Sequence, residues 1–155
     1  RYSAMVPIFS NNTKKAGILL IRYGAPFERD EEVLCEYVAA IISIELIRQE
    51  HEQMQREALE IARANLAVSN LSFSEQKAAG AVLQDLEGDE GTVFLNTVAN
   101  RIYATQSTIS AALKKLESAG VISTKSKGVK GKHIAIRNVH LRRALEEAEV
   151  VRDPL

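Results

Sequence analysis

Residues 95–136 read LNTVANRIYATQSTISAALKKLESAGVISTKSKGVKGKHIAI, and the fold turns on this stretch. Thr97 to Tyr103 forms a short helix, with Val98 and Ile102 four apart on one side. Tyr103, Ala104 and Thr105 make a three-residue turn, and Thr105 can cap a second helix that runs from Gln106 to about Ala119, where Gly120 supplies a C-terminal stop. Ile109, Ala112, Leu113 and Leu116 fall on one face of that helix and must pack inward. Val121 to Ser126 and Lys132 to Ile136 then alternate like strands, with Ile134 and Ile136 two apart. The glycines of the intervening KGVKGK, residues 127–132, permit a turn, and its lysines have no place in a core.

Helix, turn, helix, basic hairpin is the order of a winged helix-turn-helix, in which the second helix enters a DNA major groove and the hairpin meets phosphates or the neighbouring minor groove. The outward stripe of the second helix is Ser107, Ala111, Lys114 and Ser118, with Gln106 and Ser110 beside it near the start. Small residues allow close approach, amide and hydroxyl groups can read base edges, and lysine meets phosphate. An ordinary solvated helix face would also be polar, so the stripe gains its meaning from the turn before it and the basic hairpin after it. The expected DNA contacts are therefore Thr105, Gln106, Ser107, Ser110 and Lys114 on the helix, with Lys125, Lys127, Lys130 and Lys132 on the wing.

Outward from this core, Leu71 to Ser74 breaks a preceding helical pattern, and Ser72 with Glu75 three residues on is a capping box that opens a new helix. Ala79, Val82, Leu83 and Leu86 form the apolar stripe of that helix, which should end near Gly88, and Thr92 to Leu95 is strand-like. Charge follows the same division. Between Thr92 and Arg143 ten basic residues face one acid, Glu117, about +9 in all. From Glu28 to Arg63 ten acids face four arginines, so only the C-terminal part suits a polyanion.

Further upstream, Tyr2 to Phe9 and Gly17 to Tyr23 are apolar runs separated by the turn-like SNNTKKAG, and they predict an antiparallel strand pair. Asp30 is a cap candidate with Glu31 and Glu32 in the first turn, where carboxylates favour the positive helix end. The helix that follows can continue to about Val68, too long for one small domain. Ile47, His51, Met54, Ala58, Ile61, Asn65 and Val68 step by four and three like a weak coiled-coil seam. That seam either pairs in a dimer or packs on its own domain. The expected organisation is α+β, with a sensor-domain remnant over 1–48, a linker helix over 49–70 and the winged helix-turn-helix over 71–150.

The 155-residue chain balances 20 basic against 20 acidic residues and is 46% hydrophobic, as a chain of one or two small domains would be. Its richest apolar run, Val38 to Ile47, contains Ser43 and Glu45 and falls short of the roughly 20 residues of a membrane span, so no membrane partner is expected. Cys35 is the single cysteine and suits a packing role in a reducing, cytoplasmic setting. The opening at Arg1 runs straight into a strand-like segment, and we expect sequence upstream of it. His51, His133 and His140 lie on three different elements and give no metal or triad signature, so neither catalysis nor a catalytic cofactor is expected. The glycine-lysine wing lacks P-loop spacing, and its GXXG does not join two helices as in an RNA-binding KH domain.

The 95–136 stretch resembles the C-terminal domain of the CodY family, most specifically at LKKLESAGVI followed by KGVKGKHI. LSFSEQKAAGAVLQDLEGDEG is similar to that family's entry to the domain, and VPIF, GILLIRYG and FERDEEVLCEYVAAIISIELIR are similar to the closing part of its GAF sensor domain. The resemblance implies a transcriptional repressor of double-stranded DNA that responds to GTP and branched-chain amino acids. It implies that most of the GAF domain and its isoleucine pocket lie upstream, and that Pro7 lines the pocket edge. No motif here places GTP. The family usually carries an arginine before the serine at the start of the recognition helix, whereas this chain has Gln106 before Ser107, and Tyr103 stands where glycine would sit easily. The rival readings are a winged helix that docks protein or RNA, and a GAF-like enzyme regulator. A homodimer or higher homo-oligomer is expected from the seam and from the two-fold symmetry of bacterial operators.

Overall fold

The computed structural model describes residues 1–128 and 131–152. The elements in order are β1 (Tyr2–Ser10), β2 (Thr13–Arg22), α1 (Arg29–Ser69), α2 (Phe73–Gln84), β3 (Glu90–Val93), α3 (Leu95–Ile102), α4 (Gln106–Ser118), β4 (Ile122–Ser126), β5 (Lys132–Ile136) and α5 (Leu141–Arg152). The fold is α+β, with every strand pairing antiparallel. The chain divides into two compact units, one of residues 1–56 and one from Glu57 onward.

In the first unit β1 and β2 form a hairpin, with Pro7 opposite Gly17 and Ser10 opposite Thr13. The expected eight-residue turn shrinks to Asn11 and Asn12, at φ 48° and 63°. Two successive left-handed residues match the twist of the flanking strands, and asparagine tolerates that region, so Thr13 to Ala16 join the strand, with the register shifting at Lys15. Glu50 of α1 holds the hairpin end: it accepts from Ser10 Oγ at 2.7 Å and Asn11 Nδ2 at 3.1 Å, and pairs with Lys15 at 3.0 Å. At the helix start Asp30 is not the cap. The Glu28 carbonyl accepts from Glu31 and Glu32 N–H, and the Glu31 carboxylate takes Glu28 N–H at 2.9 Å. A glutamate at the third helical position reaches back to the cap amide, which Asp30 is too near to do.

The second unit begins within α1. Ala64, Ala67 and Val68 are buried against Leu71, Ala78, Val82, Leu113 and Leu116 in one apolar core. Of the seam positions, Val68 therefore turns into its own domain, whereas Met54 is 65% and Ile61 37% exposed. The capping box at α2 is complete: Ser72 Oγ accepts from Glu75 N–H and the Glu75 carboxylate accepts from Ser72 N–H. The helix stops at Gln84, one turn before the expected Gly88, since Asp85 N–H already bonds back to Val82 O. Strand β3 starts at Glu90 rather than Thr92, which leaves Leu95 to open α3.

The sheet order is β3-β5-β4, so the hairpin β4–β5 carries β3 on its outer side. Helix α5 is an addition to the elements expected from sequence. Leu141, Ala144 and Leu145 give it only a narrow buried face. Its placement depends on Asn138, 2% exposed, whose amide donates to the Glu60 carbonyl at 2.8 Å and carboxylate at 2.9 Å, while its Oδ1 accepts His140 N–H. Burying several aliphatic side chains at about 1.5–3 kcal/mol each supplies the main stabilisation, and Asn138 is compatible with that core because its polar atoms are partnered.

Candidate nucleic-acid interface

The site is built around α4. Thr105, at φ −85° and ψ 150°, stands as its N-cap and accepts Thr108 N–H at 3.2 Å. The same hydroxyl lies 2.7 Å from Ser107 Oγ and 2.8 Å from Thr108 Oγ1. Thr105 is thus largely committed to holding the helix start, and Ser107 is oriented by it. Ile109, Ala112, Leu113 and Leu116 are buried, while Gln106, Ser107, Ala111, Lys114 and Ser118 are exposed and Ser110 half-buried. The inward and outward stripes are those expected from spacing.

The wing is pinned to the same helix. Glu117, near the C-terminal end of α4, accepts Thr124 N–H at 2.7 Å and the Thr124 hydroxyl at 3.0 Å, which fixes where β4 leaves. Ile122 pairs with Ile136 and Ser126 with Lys132, so the strands stay in register up to the tip. Gly131 is required on two counts: its φ is 93°, and a Cβ there would lie 2.8 Å from the Val93 carbonyl of β3. Lys130 lies outside the described residues.

Side-chain bonding sorts the basic residues that composition merely counts. Arg101 pairs with Asp85 at 2.6 Å, Lys115 with Glu75 at 2.7 Å, and Arg143 with Glu147 at 2.6 Å. All three acids lie outside the basic stretch, so its charge of about +9 overstates what a polyanion would meet. Arg142 donates to the Leu83 and Gly88 carbonyls behind α2, and Arg137 to Ser123 Oγ. Among the described residues, Lys114, Lys125 and Lys132 make no ion pair, and Lys127 touches only Thr92 Oγ1 at 3.4 Å. Four of the five expected lysines, Lys114, Lys125, Lys127 and Lys132, are thus without an ion pair among the described residues. The Glu75 carboxyl is held below the usual carboxylate range, chiefly by Lys115 and then by the Ser72 amide.

Two surface grooves flank α4. One, of about 570 Å³, is lined by Phe94, Asn96 and Thr97 at the start of α3, Gln106 of α4, and Ser126 and Lys132 of the wing. The other, of about 790 Å³, runs between Arg63 and Leu66 of α1, with Asn70 just beyond its end, and Ala111, Lys114 and Ser118 of α4. Sequence reasoning assigned no site role to Asn96 and Thr97 or to Arg63 and Asn70. The helix-turn-helix order could have suggested the first pair, since it puts the start of the preceding helix beside the recognition helix, whereas no sequence signal joins α1 to α4. In the first unit Pro7 is exposed on β1 and lines a cleft of about 350 Å³ with Met5, Phe9, Glu36, Ala39 and Ser43. No helix among the described residues is long and apolar enough to cross a membrane, and no cluster of three or more acids, histidines or cysteines there could hold a metal ion.

Comparison with known proteins also finds two parts, with bounds of their own. Residues 1–70 match the model of the CodY GAF-like domain and residues 89–149 that of the CodY helix-turn-helix domain. The global transcriptional regulator CodY of Clostridium perfringens is 40% identical over 141 residues, covering 91% of this chain and 55% of that protein. Its counterpart from Clostridium tetani is 37% identical over 152 residues, covering 98% of this chain and 58% of that protein. The chain thus spans a little over half the length of the curated relatives it matches. Among solved structures, a MarR-family transcriptional regulator from Silicibacter pomeroyi overlays with a TM-score of 0.39 at 17% identity, over 64% of this chain and 63% of that one. With a GAF-like match followed by a helix-turn-helix match in one continuous chain, this protein belongs to the CodY family.

Proposed function

We propose that this chain is the DNA-binding portion of a transcriptional repressor, reading double-stranded DNA with α4 in the major groove and gripping the backbone with the β4–β5 wing. The observation that carries this reading is the exposed front of α4, Gln106, Ser107 and Lys114, beside wing lysines that their own domain leaves unpaired. Thr105 orients that front, Ser110 lines its edge, and Lys125, Lys127 and Lys132 supply sequence-independent affinity, with Lys130 assigned to the same role from its position in the sequence alone. The family relationship supports nutrient control through a GAF domain, with GTP and a branched-chain amino acid such as isoleucine as effectors and Pro7 at the edge of the effector pocket. It supports action in the cytoplasm as a homodimer or higher homo-oligomer, with no catalytic step. The organisation proposed is a sensor part over 1–48, a linker helix over 49–70 and the DNA reader over 71–150.

The test is a salt titration of binding to duplex DNA, single-stranded RNA and heparin. Preference for a selected duplex that survives at physiological salt is the expected result. Equal binding to all three polyanions, or preference for RNA, would replace the repressor with a general or RNA-directed basic module.

A further inference from the structure

We propose that Tyr103 is a direct contact to the DNA sugar-phosphate strand, its hydroxyl donating to a phosphate oxygen and its ring lying against the deoxyribose. The proposal rests on the DNA-binding reading and adds to it a residue outside both the α4 front and the wing.

Tyr103 is the C-cap of α3, with φ 53° and ψ 38°. A left-handed backbone brings Cβ close to the following carbonyl, a cost glycine escapes. The turn does not use the side chain. Its closure is by backbone bonds alone, Tyr103 N–H and Ala104 N–H both returning to the Ala99 carbonyl. Tyr103 is 99% exposed, the most exposed of the large hydrophobic residues among those described. Among the described residues its hydroxyl has no hydrogen-bond partner and its ring no cation contact. The domain thus accepts a strained, fully solvated aromatic that contributes nothing to its own packing.

Position says what could use it. Tyr103 precedes the Thr105 cap by two residues and Gln106 by three, at the end of α4 that enters the groove first. A major groove about 12 Å wide is filled by a helix, and what meets the turn beside that helix is the flanking phosphodiester strand. Tyrosine suits this strand, because its hydroxyl bonds phosphate and its ring covers the apolar face of the sugar. A protein partner would need an apolar surround that Thr105, Gln106 and Ser107 do not provide.

The experiment uses this chain with fluorescein-labelled duplexes selected from a random pool by the wild type, read by anisotropy across a salt series, with thermal melts of the same samples. Tyr103→Gly should bind more weakly by about tenfold or more, since it loses both a hydrogen bond to a charged acceptor and the ring's contact with the sugar. Its salt slope should be unchanged, because a neutral phenol displaces no counterion. Its Tm should equal or exceed that of the wild type, since the turn is relieved. Tyr103→Phe keeps backbone and ring and should lose part of the affinity. Wild-type affinity in Tyr103→Gly overturns the assignment, and so does an affinity loss matched by a fall in Tm. A wild-type chain that binds no duplex overturns the DNA reading and this contact together, whereas tight wild-type binding with an indifferent Tyr103 removes the contact alone.

Discussion

Lys115 Nζ lies 2.7 Å from Glu75 Oε2, joining α4 to the start of α2 across forty residues of chain. Glu75 is also the capping-box carboxylate for Ser72 N–H, at 2.7 Å. One side chain therefore closes the first turn of α2 and fixes the rear of α4, while Lys115 also reaches the Asn70 carbonyl at the end of α1. The residue next to it, Lys114, points outward and stays unpaired. Two adjacent lysines thus differ in kind, one anchoring α4 to its own domain and the other exposed to solvent.

Glu75 should make stability depend on acid. Its folded pKa lies below the ordinary 4.5, so its ion pair contributes fully above that value and is lost as pH falls through the lower folded value. Glu75→Gln keeps a side chain able to cap Ser72 but has no charge for Lys115. We expect it to cost about 0.5–1 kcal/mol at neutral pH, and its Tm to fall less than that of the wild type as pH drops below 4.5. Parallel Tm curves for the two proteins would show that the pair adds nothing.

Gly131 and Gly128 should differ in their tolerance of alanine. Both have positive φ, but a Cβ at Gly131 meets the Val93 carbonyl at 2.8 Å, and one at Gly128 meets nothing within 4 Å. Gly131→Ala is expected to cost about 1–3 kcal/mol in urea unfolding, and Gly128→Ala clearly less. Equal costs would mean that strain alone matters and that the approach of β3 to the wing is loose.

The local grammar of this domain was legible in sequence, and its long-range joins were not. Ser72 with Glu75, Thr105 before Gln106, Gly120 after the helix and Ile134 with Ile136 all act within a few residues, where spacing determines geometry. The inward stripe of α4 followed from period alone. Helix α5 escapes a reading by pattern because Leu141, Ala144 and Leu145 make a small face among arginines and glutamates, and the side chain that seats it, Asn138, bonds to Glu60 far away in the chain. Charge misleads for the same reason. Asp85 and Glu75 neutralise Arg101 and Lys115 from sixteen and forty residues away, Glu147 neutralises Arg143 from just past the counted stretch, and a windowed count sees only the bases.

Lysines that are unpaired should govern the salt dependence of DNA binding. Lys125→Ala with Lys132→Ala should weaken binding to all sequences alike and lower the salt slope by roughly 0.9 for each phosphate no longer neutralised. Lys115→Ala, removing a charge already satisfied by Glu75, should leave the slope unchanged. A slope that ignores the wing pair, or that responds equally to Lys115, would take the wing out of the interface.

The exposed part of the α1 seam should mediate self-association. Met54 and Ile61 lie on it at 65% and 37% exposure, whereas Val68 belongs to the domain core and is no test of pairing. Sedimentation at micromolar concentration should give a dimer or larger species for the wild type and a shift towards monomer for Met54→Glu and Ile61→Glu. A wild-type monomer would leave α1 as a spacer between the two units.

Gln106 should set part of the sequence preference. It is exposed at the first position of α4, on the same groove as Lys132 of the wing and Asn96 of α3, so its amide can reach a base edge while the groove walls engage the backbone. A glutamine amide has one donor and one acceptor group and matches N6 and N7 of adenine, whereas an arginine has only donors and matches O6 and N7 of guanine. Selection from a random pool should therefore give an adenine at one position of each half-site. Gln106→Arg should move that position towards guanine, with a discrimination of roughly 1–3 kcal/mol and little change elsewhere in the motif. Ser107→Asp gives the contrasting case: a negative charge near the phosphates should weaken binding to every sequence without changing the motif. If Gln106 and its arginine variant select the same motif, position 106 reads no base, and the preference must come from Ser110, Lys114 or the deformability of the duplex.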